Sequence, residues 1–133
     1  MTKQIIYPSG WKKTRGTYSP AIKIDLGNAE LVFVSGQQVS KNGKNEAITN
    51  DIIKQTEDVF RQLGEILNSA GATFDDVVKA QTFLTNIDDF EKVSPIRDKY
   101  FAKSKPVSTL LEVNAMTRKG AKIEIEVTAI IKK

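Results

Sequence analysis

The order of strand-like and helix-like segments predicts a two-layer α+β sandwich, a six-stranded mixed sheet with two helices on one face. Three observations carry this. Residues 122–131 alternate strictly, with Ile123, Ile125, Val127, Ala129 and Ile131 on one side and Lys122, Glu124, Glu126, Thr128 and Ile130 on the other, the period of a strand. Residues 52–70 place Ile52, Thr56, Val59, Phe60, Leu63, Ile66, Leu67 and Ala70 at three- and four-residue steps, the stripe of a helix with one buried face. The whole chain then reads β-β-β-α-β-α-β-β, and strands joined by hairpins and single helices close most simply as two layers.

In chain order, the opening stretch supplies a first strand. "AIKID" and "ELVFVSG" follow as a hairpin turning at Gly27-Asn28, and Asn42-Gly43 supplies a second tight turn. The long helix is expected to start on a Thr49 or Asn50 cap and to end at Gly71, with Gln55, Asp58, Gln62 and Glu65 facing water. "DVVKAQTFLT" returns to strand composition. Asp88 and Glu91 have capping-box spacing for a short helical turn that Pro95 interrupts. A second helix then runs from Pro95, capped by Ser94, and buries Ile96, Tyr100 and Phe101. "KPVSTLLEV" (105–113) is the fifth strand, with Ser108, Leu110 and Glu112 on one face. The sheet face away from the helices is expected to carry Leu110 and Ile130 among polar residues, so that association of subunits covers it.

A chain of 133 residues with 40% apolar and 27% charged residues fits one domain, residues 1–133. No run approaches a membrane span and the start lacks a secretory signal, so a soluble cytoplasmic protein is expected. Cysteine and histidine are both absent. That removes thiolate nucleophiles, Ser-His pairs and zinc helices, leaving carboxylates, hydroxyls, Lys, Arg, backbone groups and positioned water for any chemistry.

The net charge of +4 is spread along the chain among sixteen acidic residues, which disfavours a nucleic-acid partner. The one dense basic cluster is "WKKTR", read as a solvated segment. Six residues separate Gly36 from Gly43 and Asn45 follows Lys44, so no phosphate loop is present. Asp75-Asp76 and Asp88-Asp89 sit at helix boundaries as caps and turns, and no metal site is expected. Glu124 and Glu126 project side by side from one strand face. Partial burial there would suit acid-base work, whereas pairing with Lys122 would make them a solvated face. Tyr18, in "GTYSPA", reads as a packing residue near a turn rather than a ligand.

Taken together, "GTYSPAIKI", "LVFVSGQ", "DDVVKAQTFLTNIDDF", "KPVSTLLEV" and "KIEIEVTAI" resemble, collinearly from Gly16 to Ile131, the RidA family, also called the YjgF, reactive-intermediate-deaminase or endoribonuclease L-PSP-like family. The resemblance implies a chorismate-mutase-like fold and a homotrimer whose sheets form a central barrel, with small-molecule ligands in clefts between subunits. It also implies hydrolysis of enamines and imines to 2-oxo acids and ammonia without metal or cofactor. Carried over by position, the cleft Tyr is Tyr18, the Ser-Gly is Ser35 and Gly36, and the acid that places the water is Glu124. The guanidinium that grips the substrate carboxylate in the deaminases is replaced by Ser108. A small polar or Cys position is Leu110, and the cleft Asn is Ser94.

Ser108 offers one neutral hydrogen bond where Arg offers a charged fork. The chain therefore resembles an Arg-lacking branch, which also tends to carry a Gly-Trp element such as Gly10-Trp11, and its substrate is expected to differ from 2-aminoacrylate. A non-catalytic small-ligand binding or sensor protein of the same fold is the alternative. Ribonuclease activity is the least favoured, since paired acid-base groups in a basic groove are lacking.

Overall fold

The computed structural model describes residues 1–14, 16–40 and 48–133. The expected Asn42-Gly43 turn and Arg15 of the basic cluster lie outside the described residues. Six strands, β1 (Thr2–Ile6), β2 (Ala21–Asp25), β3 (Ala29–Gln38), β4 (Val77–Leu84), β5 (Val107–Glu112) and β6 (Ile123–Lys132), form one sheet in the order β1-β2-β3-β6-β4-β5. Every pairing is antiparallel except β4 with β5. Helices α1 (Ile52–Ser69) and α2 (Phe90–Phe101) complete the two layers.

The barrel that the resemblance implies is not formed. β1 and β5 lie at opposite ends of the strand order and do not pair, so the sheet is open with two edges.

The core lies between the helices and one sheet face. Ile123, Ile125, Val127 and Ala129 of β6 meet Val59, Phe60, Leu63, Ile66 and Leu67 of α1, all buried. Phe60 stacks on Tyr100 with ring centroids 4.5 Å apart, and Phe74 and Phe101 pack at its edges, which fastens α2 to α1. α2 is one continuous helix from Phe90 with Pro95 inside it, instead of a helix starting at Pro95 under a Ser94 cap. Burial of Val93 and Phe101, with Ile96 and Tyr100 packed against the core, outweighs the roughly 3 kcal/mol that an interior Pro costs.

The start of α1 corrects another expectation. Asp51 is its cap, its carboxylate accepting from the Ile53 and Lys54 amides at 2.8 and 3.4 Å, while Thr49 Oγ1 accepts from the Asp51 amide. At the other end Gly71, at φ +86°, closes a Schellman motif in which the Ala72 amide donates to the Leu67 carbonyl.

Gln55 and Gln62, read as water-facing, are buried. A buried polar side chain is stable when it is hydrogen-bonded, and each of the two Nε2 groups donates twice. Gln55 Nε2 donates to the Thr49 and Gly120 carbonyls at 2.8 and 3.0 Å, and its Oε1 accepts from the Lys122 amide at 2.8 Å. Gln62 Nε2 donates to the Gln38 carbonyl and to Asp58. The Asp58 carboxylate also accepts from the Ser40 amide and hydroxyl and from Arg61. Burial alone would push the Asp58 carboxyl up, but donors from Ser40 and Arg61 outweigh it and hold the group below the ordinary carboxylate range.

Two outcomes follow. Gln55→Leu strands the Lys122 amide and two carbonyls, and should lower stability in urea unfolding by about 2–3 kcal/mol. Asp58 contributes stability that is complete above about pH 4, the unfolded carboxylate value, and is lost as pH falls through its lower folded value. Asp58→Asn should therefore unfold at lower urea than the parent at pH 7 and converge with it in acid. Parallel curves at all pH values would contradict this.

Candidate functional site

The sheet face away from the helices is set by register. Partnered positions share a face, so Thr128 lies with Phe33, Ile22, Lys79 and Val107, while Glu124 lies with Gln38, Phe83 and Leu111. Ile5, Phe33, Val107, Leu111 and Ile130 are exposed on this face. Ile130 is where the alternation places it, but Leu110 is not: it pairs with Thr82 and Ile125 on the helix side and packs against the core.

β3 carries one extra residue against β6 between Val34 and Gln37, a bulge at Ser35 and Gly36. Ser35 is tied down on both sides, its amide donating to the Pro20 carbonyl at 2.9 Å and its Oγ to the Ser19 carbonyl at 2.6 Å. Gly36 is required by space. A Cβ there would stand 2.8 Å from Cδ and Oε2 of Glu124, so the carboxylate lies over bare backbone.

Glu124 is held by a neighbour that the sequence pattern did not single out. Gln38 Nε2 donates to Glu124 Oε1 at 2.6 Å and to Thr117 Oγ1 at 2.9 Å, and Gln38 Oε1 accepts from the Arg118 amide at 3.0 Å. Glu124 Oε2 has no hydrogen-bond donor among the described residues, and neither Glu124 nor Glu126 forms an ion pair with Lys122 there. One oxygen is thus fixed and the other is available to a water or ligand. The missed signal was the doubled Gln of "SGQQ": after a bulge, the second Gln returns to the Glu124 face.

Beside the bulge runs an open groove of about 950 Å³, lined among others by Lys3, Tyr7, Tyr18, Ser35, Lys79 and Glu126. Tyr18 is 64% exposed, with its ring over Gly16. The structure therefore brings Tyr18 and Ser35 into one groove and sets Glu124 against Gly36 beside it. It does not bring the remaining three to them within one chain. Ser108 pairs with Ala80, whose side faces the helices, and opens onto Phe101 at the end of α2 and its cap Ala102; Ser94 lies within α2. Trp11, read as solvated, packs against the core and donates through Nε1 to Glu65 at 2.9 Å.

A helix-backed open sheet that presents a carboxylate beside a glycine bulge defines a small α+β protein with its polar site on the free sheet face. A family model described as Endoribonuclease L-PSP matches residues 12–131. The chain belongs to that family, known also as the RidA or YjgF family. A RutC family protein of Pyrococcus abyssi is 36% identical over 129 residues, 97% of this chain and 98% of its own. The human 2-iminobutanoate/2-iminopropanoate deaminase is 32% identical over 115 residues, covering 86% of this chain and 80% of its own. Among solved structures, Rv2704 of Mycobacterium tuberculosis, a member of the YjgF/YER057c/UK114 family, superimposes with a TM-score of 0.81 at 31% identity, covering 98% of this chain and all of that one. Among the described residues no helix is long and apolar enough to cross a membrane.

Gly36→Ala tests the geometry directly. The clash falls on the movable end of Glu124, so the fold should survive with a melting temperature within a few degrees of the parent, while the Glu124 carboxyl resonance in carbon-13 spectra moves. An unmoved resonance would show that the carboxylate does not lie over Gly36.

Proposed function

We propose that the protein hydrolyses a small imine or enamine to a carbonyl compound and ammonia, with Glu124 positioning the water. The observation that carries this reading is the Glu124 carboxylate, pinned through Oε1 by Gln38 and open at Oε2 over Gly36. Water adds to the carbon of the protonated C=N bond, one of its protons passing to the carboxylate and leaving a neutral carbinolamine; the carboxyl returns that proton to nitrogen, and as the C–N bond breaks and ammonia leaves, the remaining hydroxyl proton passes to the carboxylate and the carbonyl forms. An electrophilic C=N bond asks for placement and modest proton transfer, which suits a chain without His or Cys. The name of the human relative supports the reaction class.

The working unit in this proposal is a homotrimer that covers the exposed Ile5, Phe33, Val107, Leu111 and Ile130 and places its ligand clefts between copies. β5 is an edge strand, so Ser94, Ser108 and Leu110 would meet the Tyr18–Glu124 side only across such a contact. Ser108 supplies a hydroxyl and no charge, and the substrate accordingly sits differently from 2-aminoacrylate in an Arg-bearing deaminase.

The test generates imines in situ with a pyridoxal-phosphate dehydratase and follows 2-oxo acid release. Hydrolysis should be measurable above the uncatalysed rate, slower on 2-aminoacrylate than for the human relative by tenfold or more, and reduced about a hundredfold by Glu124→Gln. No rate above background with any imine offered would favour the non-catalytic binding protein. In light scattering the parent should have the mass of three chains, and Phe33→Lys with Ile130→Lys should give monomers. A parent that stays monomeric at micromolar concentration would remove the assembly.

A further inference from the structure

We propose that Gln38 is a positioning residue: by committing Oε1 of Glu124 it makes Oε2 the one oxygen through which the protons of the hydrolysis pass. This rests on the hydrolase reading above and adds to it a residue and a proton route.

The end torsion of a Glu side chain is broad and roughly two-fold, so a carboxylate held only by its stem exchanges its two oxygens by turning. Gln38 opposes that exchange, and its own direction is set by the backbone. The Arg118 amide can only donate, so the Gln38 atom 3.0 Å from it is the acceptor Oε1. Nε2 is thereby turned toward Glu124 Oε1 at 2.6 Å and Thr117 Oγ1 at 2.9 Å, and both of its N–H bonds are used. A flipped amide would set an oxygen against the carboxylate and an N–H against the Arg118 N–H, two repulsive contacts in place of two bonds. The backbone that carries Gln38 is held as well. Gln62 donates to the Gln38 carbonyl at 2.8 Å, and Gln37 Nε2 turns back to the Ser35 carbonyl at 2.9 Å. Of the two adjacent glutamines, the first braces the bulge and the second holds the acid.

Oε2 is left against the bare backbone of Gly36, where a Cβ would stand 2.8 Å from it. The three proton movements of the reaction fall to this oxygen. It takes a proton from the adding water, returns it to nitrogen, and takes the hydroxyl proton as the C–N bond breaks, releasing that one to solvent before the next turnover. In the carbinolamine the hydroxyl and the nitrogen sit on one carbon, so a single oxygen reaches both without the carboxylate turning.

Two substitutions separate the hold on Glu124 from the hold on the loop. Gln38→Met has the length of Gln without its amide. Gln38→Glu keeps an acceptor for the Arg118 amide but sets a second carboxylate against Glu124. Both leave the Gln62 contact, which is to the backbone carbonyl. With imines generated in situ, kcat should fall about tenfold or more in each variant, with KM within about twofold of the parent. In the Glu124→Gln background, Gln38→Met should cost nothing further, because a residue that acts through Glu124 then has nothing to position. Melting curves verify the fold. Nitrogen-15 spectra of the parent and of Glu124→Gln should show the Gln38 side-chain amide displaced, a measurement that needs no Gln38 variant. Parental kcat in Gln38→Glu would show that only the loop contact matters, an equal loss from Gln38→Met with and without Glu124 would make its role structural, and an unmoved amide would remove the contact; each overturns the proposal. A parent that hydrolyses no imine removes the hydrolase reading and this proposal with it, whereas the positioning role alone fails only in variants of an active parent.

Discussion

One extra residue in β3 governs the whole free face of the sheet. Without the bulge at Ser35 and Gly36, the strand would continue in register from Val34 and Gln38 would point to the helices. With it, Gln38 lies opposite Glu124 and a position without a side chain lies beside the carboxylate. The same insertion leaves Ser35 to bond the Ser19 and Pro20 carbonyls, which fixes the segment carrying Tyr18. Groove and carboxylate geometry are thus consequences of one break in strand pairing.

That break is supported from the other layer by glutamines. Gln62 reaches from α1 to the Gln38 carbonyl, and Gln55 reaches from α1 to the backbone on either side of the last turn before β6. Hydrogen bonds to backbone have directional demands that apolar contacts lack. The helix therefore presses on the sheet through its hydrophobic stripe but is aligned with the polar face through amides. A nonpolar substitute could fill the same volume and would not transmit this alignment.

Periodicity made the layers legible because burial and alternation are the same fact in β6 and in α1. It failed where a side chain's environment is decided by partners distant in sequence. Gln55 and Gln62 fall within the polar arc of α1 by composition, yet loop 113–121 and the end of β3 cover them, and no local pattern announces that. Alternation within β5 alone puts Leu110 on the free face, whereas its pairing with Thr82 settles its side. The usual position of Pro predicts a helix start at Pro95, and the aromatic cluster of Phe60, Phe74, Tyr100 and Phe101 overrides that preference. The resemblance points to Tyr18, Ser35, Gly36 and Glu124 by position, whereas the contact of Gln38 with Glu124 arises only from the bulge and no local pattern announces it.

The place of β6 has a consequence for how the chain acquires this structure during synthesis. It is the last of the six strands in chain order and the one between β3 and β4. Until it leaves the ribosome, the hairpin strands β1 to β3 and the β4–β5 pair have no sheet contact with each other, and each presents a long open edge. The sheet is therefore completed only when this one segment zips the two halves together, and until then the chain carries exposed, aggregation-prone strand edges. Speed in that closing step depends on contacts of large sequence separation, a topological cost set by strand order and independent of how well the finished core is packed.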